Sequence, residues 1–434
     1  MKKQLFIGLT VLFSFLFSSG QGKTVLVQGK ILEESTGMPL PFATVGITGS
    51  SHGTISNLDG EFAFYVPSTY SKDTISISYV GFETFKKAIS QIKEPLAVSL
   101  KEKITILDEI EINAEQLTAN QRMERALEKL TDNYSSNPFI IKGFFRDIRD
   151  QNGETVYLAE AAVDIQDYGY SKTKDRSKNF FLRGIRSSQS RVHSLLSGSL
   201  LNAGNSLNVN LEHNFWLNRL KYISEREEFN IESIQSKNDK LFYIIRIDQV
   251  VSMDGLAIKY KDMKFNLAHR YFVDTETFAI HKVEHIEKPI EGRYIGIERP
   301  YQGDTLFYSK KGWNQVIEFE EYNEKMYLKY HDVNYAFDIV DEKNKEIFLD
   351  MSYQFTFVVT DIETHKSAKP MGNKMNRNKP LMLQANNYDA DFWADPSNAK
   401  LVPLTQKQIN GLEKYQPLEE QFIAKKTKLG KNAH

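Results

Sequence analysis

The chain has 434 residues, of which 26% are charged and 41% hydrophobic, so it is long enough for two or three folded domains. Its net charge of −1 does not favour nucleic acid as a partner, because such a partner calls for a basic surface. The sequence contains no cysteine, which excludes disulfides, thiol nucleophiles and thiolate metal sites. It also excludes a lipidated cysteine, so we do not expect a lipid-anchored lipoprotein.

Residues 1–20 have the features of a secretory signal peptide. Lys2 and Lys3 supply positive charge, residues 5–17 are mostly apolar, and Ser18-Ser19-Gly20 offers small residues for cleavage. This apolar stretch is shorter than the roughly 20 residues of a membrane-spanning helix. We therefore expect an exported protein, periplasmic or associated with the outer membrane, with no transmembrane helix after signal cleavage.

Short stretches of alternating apolar and polar residues follow at residues 24–101. Val25, Val27 and Ile31 belong to the first of them. The stretches are separated by turn-forming pairs such as Asp59-Gly60, where glycine adopts a positive φ without steric penalty. Short strands at this spacing predict a small β-sandwich.

Four segments of this region carry a family resemblance: Gly37–Ala43, Gly53-Thr54, Asp59–Phe62 and Tyr79–Phe82. Together they resemble the carboxypeptidase-regulatory-like domain, a transthyretin-like sandwich of Bacteroidetes envelope proteins that include TonB-dependent receptors. The resemblance implies a β-sandwich without peptidase chemistry of its own. It covers under a fifth of the chain, and receptor or transport functions are not carried over, because no plug-like pattern follows.

Residues 102–137 are predicted to form a linker strand and an amphipathic helix. The linker strand is Ile104–Ala114, which resembles the segment after the same sandwich in TonB-dependent receptors. Pro138 limits the helix at its C-terminal end. The apolar face of the helix, at helical spacing, consists of Met123, Ala126, Leu127, Leu130 and Tyr134.

Residues 138–365 are predicted to form a larger antiparallel sheet, either open or curled into a half-barrel. Apolar residues alternate with polar ones from Met351 to Val359, which predicts a sheet with one covered face. Hairpin turns at Asp274–Thr277 and Asn323–Lys325 favour an antiparallel meander. The predicted strands are Phe242–Ile247, Lys259–Leu267, Arg270–Val273, Phe278–Glu284, Val316–Tyr322, Met326–Asp332 and Phe348–Val359.

Residues 366–434 are predicted to form a loop and short helices. Thr405 and Gln408 have the spacing of a capping box, which predicts a short helix containing Ile409 and Leu412. The predicted fold class is therefore mainly β with peripheral helices, in which a transthyretin-like sandwich precedes a larger antiparallel sheet.

Two further resemblances concern the region beyond the sandwich. Asp132-Asn133-Tyr134, Pro138 and Gly143–Arg146 resemble segments of Bacteroidetes proteins that join the same sandwich to a β-rich remainder. The segment Tyr271–Val283 resembles a hairpin of the LolA-like half-barrel, an envelope fold that shelters acyl chains. The second resemblance implies a lipid-binding cavity.

The string His281-Lys282-Val283-Glu284-His285 matches the H-x-x-E-H motif of inverzincin metallopeptidases. That motif binds zinc on a helix, where both imidazoles share one face. The local sequence predicts a strand, on which the two histidines would be roughly 13 Å apart. We therefore predict a strand without a metal site, and retain His281, Glu284 and His285 as candidates should a helix form. No catalytic or cofactor-binding residue is predicted.

These observations predict an exported, non-enzymatic binding or assembly module of the cell envelope, without a cofactor. Its partner would be an envelope protein, a glycan or a lipid. The alternatives are a periplasmic carrier of lipids or lipoproteins, a small outer-membrane β-barrel and a zinc hydrolase. The carrier predicts an apolar concave face lined by strands Lys259–Glu284 and Val316–Asp332. Trp216, Trp313 and Trp393 are expected in cores, with a sugar- or lipid-binding groove as the alternative.

Overall fold

The structure is a computed structural model. It describes residues 24–50, 52–103, 117–167, 169, 185–194, 228–237, 240–252, 264–291, 295–301, 304–341, 346–365, 369, 371–375, 381, 384, 388–394 and 402–423. The predicted signal peptide, the predicted linker strand Ile104–Ala114 and Trp216 lie outside the described residues.

Two small sheets form the N-terminal part of the described chain. Their strands are β1 (Thr24–Glu33), β2 (Thr44–Ile47), β3 (Gly53–Ile55), β4 (Glu61–Pro67), β5 (Thr74–Ser78), β6 (Phe85–Ala88) and β7 (Leu96–Leu100). The first sheet has the order β4-β1-β7 and the second the order β3-β2-β5-β6. Val27, Phe64 and Ile77 belong to one buried cluster with residues of both sheets, which confirms the predicted sandwich.

The turn between β3 and β4 forms because Asn57 and Gly60 meet its special backbone requirements. The Asn57 Oδ1 atom accepts hydrogen bonds from the backbone N–H groups of Asp59, at 3.0 Å, and Glu61, at 2.8 Å. Gly60 has a φ of 77°, and a Cβ atom there would lie 2.3 Å from the Ile31 carbonyl oxygen. A residue with a side chain could therefore not replace Gly60 without displacing the backbone of the turn.

Two short helices follow, α1 (Ala119–Glu128) and α2 (Leu130–Asn133). Thr118 and Gln121 form a capping box at the start of α1. Met123, Ala126, Leu130 and Tyr134 are buried, which confirms the predicted apolar face of the helix. The Tyr134 hydroxyl donates a 2.6 Å hydrogen bond to the carbonyl oxygen of Ile280 and so ties the helical segment to the large sheet.

The large sheet contains twelve strands in the described residues. They are β8 (Phe139–Gln151), β9 (Glu154–Asp167), β10 (Ile185–Ser194), β11 (Asn230–Lys237), β12 (Lys240–Ser252), β13 (Lys264–Asp274), β14 (Ile280–Glu291), β15 (Ile295–Tyr301), β16 (Asp304–Tyr322), β17 (Lys325–Asp341), β18 (Ile347–Glu363) and β19 (Asn373–Lys374). Their order is β11-β12-β13-β14-β16-β17-β18-β8-β9-β10-β19, with β15 beside β16. Neighbouring strands are antiparallel and the sheet is not closed, so the predicted fold class is confirmed.

Several strands differ from their predicted bounds. The predicted strands Lys259–Leu267 and Arg270–Val273 correspond, in the described part of the chain, to the single strand β13. The Ala268-His269 pair between them contains no turn-forming residue, and both residues pair with β12 and β14. The predicted end of a strand at Asp332 was wrong as well, because β17 continues to Asp341.

The two faces of the large sheet pack against different parts of the chain. We call the face that packs against α1 the inner face; Met351, Tyr353, Phe355, Phe357 and Val359 all lie in its core, which confirms the predicted alternation. We call the opposite face the outer face; the sandwich and the C-terminal segment pack against it. No described helix has the length and apolar character needed to cross a bilayer.

The sandwich contacts the outer face directly. The Phe42 ring stacks on Tyr330 with ring centroids 6.1 Å apart, and Ile55 packs against Val358. The Thr44 hydroxyl donates a 3.2 Å hydrogen bond to Glu318. The buried apolar contacts and this buried hydrogen bond fix the position of the sandwich on the sheet.

The C-terminal segment contains α3 (Ala390–Ala394) and α4 (Gln406–Leu412), and Thr405 and Gln408 form the predicted capping box. A buried ion-pair cluster lies beneath this segment. The Glu160 carboxylate, which is fully buried, accepts hydrogen bonds from Arg146 at 2.6 Å and Arg191 at 2.5 Å. Arg146 also donates to the Val402 carbonyl oxygen, and Arg191 lies over the Trp393 ring, so both arginines hold the segment on the outer face.

Candidate functional site

A groove of about 490 Å³ opens on the outer face of the large sheet. Its walls include Leu58, from the β3–β4 turn of the sandwich, and Gln408 of α4. This volume lies in the range of sites that bind small molecules. The lining residues are Leu58, Ile148, Asp150, Glu287, Lys288, Pro289, Lys311, Gly312, Asn314, Asn334, Tyr335, Ala336, Ser352, Tyr353, Gln354 and Gln408.

Three carboxamide side chains form a row across the floor of this groove. Asn314 on β16 pairs with Asn334 on β17, which in turn pairs with Gln354 on β18. Residues paired directly across antiparallel strands project from the same face, so the three side chains stand beside one another. The adjacent row contains small residues, Gly312, Ala336 and Ser352, which leave space above the sheet.

The carboxylate of Asp332 lies beside this carboxamide row, in the next row along the strands on the same outer face. Asp332 is 1% exposed and accepts hydrogen bonds from Asn334 Nδ2 at 2.5 Å, Gln354 Nε2 at 3.1 Å and Thr356 Oγ1 at 2.6 Å. Burial raises the pKa of the Asp332 carboxyl to about 6, against the lowering effect of the three hydrogen bonds. Because both amide nitrogens donate to one buried group, Asp332 fixes the orientation of both carboxamides.

The charged residues that line the groove are balanced in sign. Asp150 is acidic, whereas Lys288 and Lys311 are basic. Glu287 also borders the groove, but its carboxylate is paired with Lys310 and His285 at the inner face. The Lys311 ammonium already lies 3.0 Å from Asp350 and 3.3 Å from Asp338. The groove therefore does not favour a strongly anionic or cationic ligand.

The H-x-x-E-H string lies on β14, so the predicted strand is confirmed at these residues. A bulge opposite Phe272 and Val273 places His281 at the outer face, where its ring lies 4.9 Å from that of Phe242. His285 lies at the inner face, with its ring 4.5 Å from His269 and 5.0 Å from Trp313. The two imidazoles thus belong to opposite faces, and in the described part of the chain no three potential ligands converge on a metal site.

The inner face carries a continuous row of polar and aromatic residues that the sequence did not predict. The row pairs across six strands, and its members are Glu287, Trp313, Tyr335, Tyr353, Arg149 and Tyr157. Three of these strand positions, Glu287, Tyr335 and Tyr353, also border the outer groove. The Arg149 guanidinium is fully buried, 4.4 Å from the Tyr157 ring and 4.7 Å from the Tyr353 ring.

The apolar concave wall expected for a lipid carrier is therefore mixed in character. Tyr271, Val283 and Ile317 are apolar contacts of the inner core, but His269 and Gln315 are buried beside them. The His285 Nε2, Trp313 Nε1 and Gln315 Oε1 atoms are also buried, and among the described residues none of them has a hydrogen-bond partner. Trp313 lies in this row and Trp393 packs in the C-terminal segment, and neither is among the residues that line the outer groove.

A second cavity, of about 190 Å³, lies where the sandwich meets β12, β14, β16 and β17. Its lysines are paired with glutamates: Lys282 with Glu284 at 2.6 Å, Lys329 with Glu320 at 2.5 Å, Lys240 with Glu321 at 2.7 Å, and Lys237 with Glu318. Burial lowers the pKa of His281, which also lines this cavity, to about 4. These pairs explain how charged residues are accommodated at the contact between sandwich and sheet.

Part of the carboxamide row could be anticipated from the alternating pattern. Gln354 and Ser352 belong to the polar positions of the alternating segment Met351–Val359. Asn334 was missed because it follows the predicted end of its strand at Asp332. Asn314 precedes the predicted strand Val316–Tyr322, so no pattern in the sequence predicted that the three amides are neighbours in the sheet.

Residues 27–112 match the family model of the CarboxypepD_reg-like domain, in agreement with the resemblance found in the sequence. No curated protein matches the chain. An outer membrane lipoprotein-sorting protein domain from Vibrio parahaemolyticus has 10% identity and a TM-score of 0.23, covering 58% of this chain and 95% of that one. Lipovitellin has 12% identity and a TM-score of 0.22, covering 57% of this chain and 27% of that one. At these TM-scores neither structure carries an assignment, and the family match identifies the N-terminal sandwich alone.

Proposed function

We propose that this protein is an exported, non-enzymatic binding module of the cell envelope, and that its ligand occupies the groove on the outer face. The observation that supports this most directly is the row of three carboxamides on the floor of a 490 Å³ groove. The CarboxypepD_reg-like domain is itself a non-catalytic fold, and here it contributes a wall of the groove through Leu58.

The chemistry of the lining favours holding a ligand over transforming it. Carboxamides and the Ser352 hydroxyl donate and accept hydrogen bonds, but they do not ionise near neutral pH and so do not act as general acids or bases. The carboxylate with the raised pKa, Asp332, lies beside the amides and hydrogen-bonds to them, and it is not among the residues that line the groove. Binding to groups that are already oriented loses less conformational entropy than binding to mobile side chains.

Filling the groove tests this function. The Ala336→Trp variant places an indole on its floor, whereas Ala97→Trp places the same side chain at an exposed position of β7, in the sandwich and outside the lining residues. The full chain would be purified from the periplasm and examined by native mass spectrometry for a bound small molecule, before and after incubation with periplasmic extract. We expect the wild type and Ala97→Trp to carry the same molecule and Ala336→Trp to lack it.

Two results would contradict the proposal. The first is a failure to depend on the groove: the bound molecule persists unchanged in Ala336→Trp, or none of the three proteins carries a bound molecule. The second is an acyl lipid that is retained in Ala336→Trp, which would place the ligand at the inner face and support the carrier alternative.

A further inference from the structure

We infer that the groove binds a neutral glycan, through the row of carboxamides that Asp332 holds in one orientation. This inference rests on the proposed function, because it names the class of ligand for the same groove. It goes further by assigning recognition to Asn314, Asn334 and Gln354 and a positioning role to Asp332.

The orientation of the amides determines which groups they offer to a ligand. The nitrogens of Asn334 and Gln354 donate to Asp332, and no described residue donates to their carbonyl oxygens. Asn314 is exposed and makes no side-chain hydrogen bond within the described residues. The row therefore offers acceptors at Asn334 and Gln354 and a complete amide at Asn314, which together suit hydroxyl groups that both donate and accept.

The spacing and the floor of the groove suit a chain of sugar rings. Adjacent strands lie about 4.8 Å apart, which is comparable to the length of one pyranose ring. Successive rings could thus meet successive amides along the row. Gly312 and Ala336 leave room above the sheet, and Leu58 and Pro289 provide apolar surface for the C–H faces of a sugar.

The charges of the lining distinguish a neutral glycan from an anion. A phosphate or an acidic sugar calls for a cluster of basic groups that are not already neutralised. Lys311 is paired with both Asp338 and Asp350, which leaves Lys288 as the single lining lysine without an ion pair among the described residues, and the Asp150 carboxylate adds negative charge to the groove. Hydroxyl groups without a net charge are the ligand chemistry that these residues best accommodate.

The test uses the full chain and an array of neutral oligosaccharides of three to six sugars with α and β linkages. Capped pentaglycine and inorganic phosphate serve as comparison probes. We expect saturable binding of at least one oligosaccharide and of neither comparison probe. Asn334→Leu and Gln354→Met, which keep the shape but remove the amide, should each weaken that binding on the order of tenfold. Asn266→Leu, an exposed site on β13 outside the groove, is the matched control.

Asp332→Asn tests the positioning role. The variant replaces one acceptor oxygen by a donor that faces the amide nitrogens, so the amides reorient and glycan affinity falls. In the wild type, affinity should also fall below about pH 6 as Asp332 takes up a proton, and in the variant it should not. The titratable outer-face residues around Asp332 include Tyr330, Glu318, Glu284 and Arg146. The sandwich contributes the titratable Tyr79, which interacts with Tyr330, and the apolar Phe42 and Ile55.

The outcomes separate this inference from the proposed function. Binding of no oligosaccharide in the array overturns the glycan assignment. Binding of pentaglycine or phosphate that is lost in Asn334→Leu also overturns it, but leaves the groove as the ligand site. Oligosaccharide binding that survives Asn334→Leu, Gln354→Met and Ala336→Trp overturns both. A pH profile identical in wild type and Asp332→Asn removes the positioning role.

Discussion

The difference in unfolding free energy between Asp332→Asn and the wild type should shift in favour of the variant as the pH rises from acid to neutral. The folded-state pKa of Asp332 is about 6, above the ordinary value of 3.8, so the folded state binds the proton more tightly than the unfolded state. The stabilising contribution of the protonated carboxyl is therefore present below about pH 4. It is lost as the pH rises to about 6 and above.

The magnitude follows from the size of this shift. About two pH units at 1.36 kcal/mol each give about 3 kcal/mol of stability that the wild type loses between pH 4 and pH 7.5. Asparagine does not ionise, so the difference in unfolding free energy between variant and wild type should shift by about 3 kcal/mol in favour of the variant over this range. His281 and His331, whose pKa values burial lowers to about 4 and about 3, titrate in both proteins and cancel in the difference.

The assay is urea unfolding of both proteins at four pH values from 4 to 7.5, followed by intrinsic fluorescence. Asp350→Asn is the matched control, because it removes a half-exposed carboxylate from the neighbouring strand. A difference between Asp332→Asn and wild type that stays constant across the four pH values would refute the reasoning. So would an equal pH dependence in Asp350→Asn.

Four further outcomes are expected. Glu160→Gln should lower the unfolding free energy by about 3 kcal/mol and expose the C-terminal segment to limited proteolysis, because it leaves the buried Arg146 and the partly buried Arg191 without an anion; an unchanged digestion pattern would contradict this. Gly411→Ala should lower it by about 1–3 kcal/mol, because the added Cβ would lie 2.7 Å from the Thr155 carbonyl oxygen; wild-type stability in urea would show that α4 can shift at no penalty. Thr118→Ala should remove about 1 kcal/mol through loss of the capping box, which a thermal melt would detect, with Thr118→Ser as the conservative control. Elemental analysis should find less than stoichiometric zinc, since His281 and His285 face opposite sides of the sheet; one zinc per chain, lost in His285→Ala, would disprove that expectation.

The parts of the fold that local chemistry determines could be predicted from the sequence. The turn at Gly60, the apolar helix face that contains Met123, and the alternation from Met351 to Val359 each depend on residues close in the chain. The capping box at Thr405 is of the same kind. In each case the backbone requirement and the residue that satisfies it lie within a few positions of each other.

The candidate site depends on register between distant strands, which local patterns do not contain. Asn314, Asn334 and Gln354 become neighbours through two strand pairings, and Asp332 becomes buried because the sandwich covers its row. The predicted strand ended at Asp332, the point where the site begins. The alternation itself continues beyond it, because Val333, Tyr335 and Phe337 all belong to the inner face.

The pairing of β8 with β18 has a consequence for how the polypeptide reaches its native state. Gln151 lies opposite Met351, 200 positions later in the sequence. Contacts this remote slow folding, since loop-closure entropy must be overcome before they form. Until the later strand has been synthesised, the hairpin of β8 and β9 exposes an unpaired edge, which is a template for self-association. A nascent chain truncated before residue 347 should accordingly aggregate or recruit a chaperone.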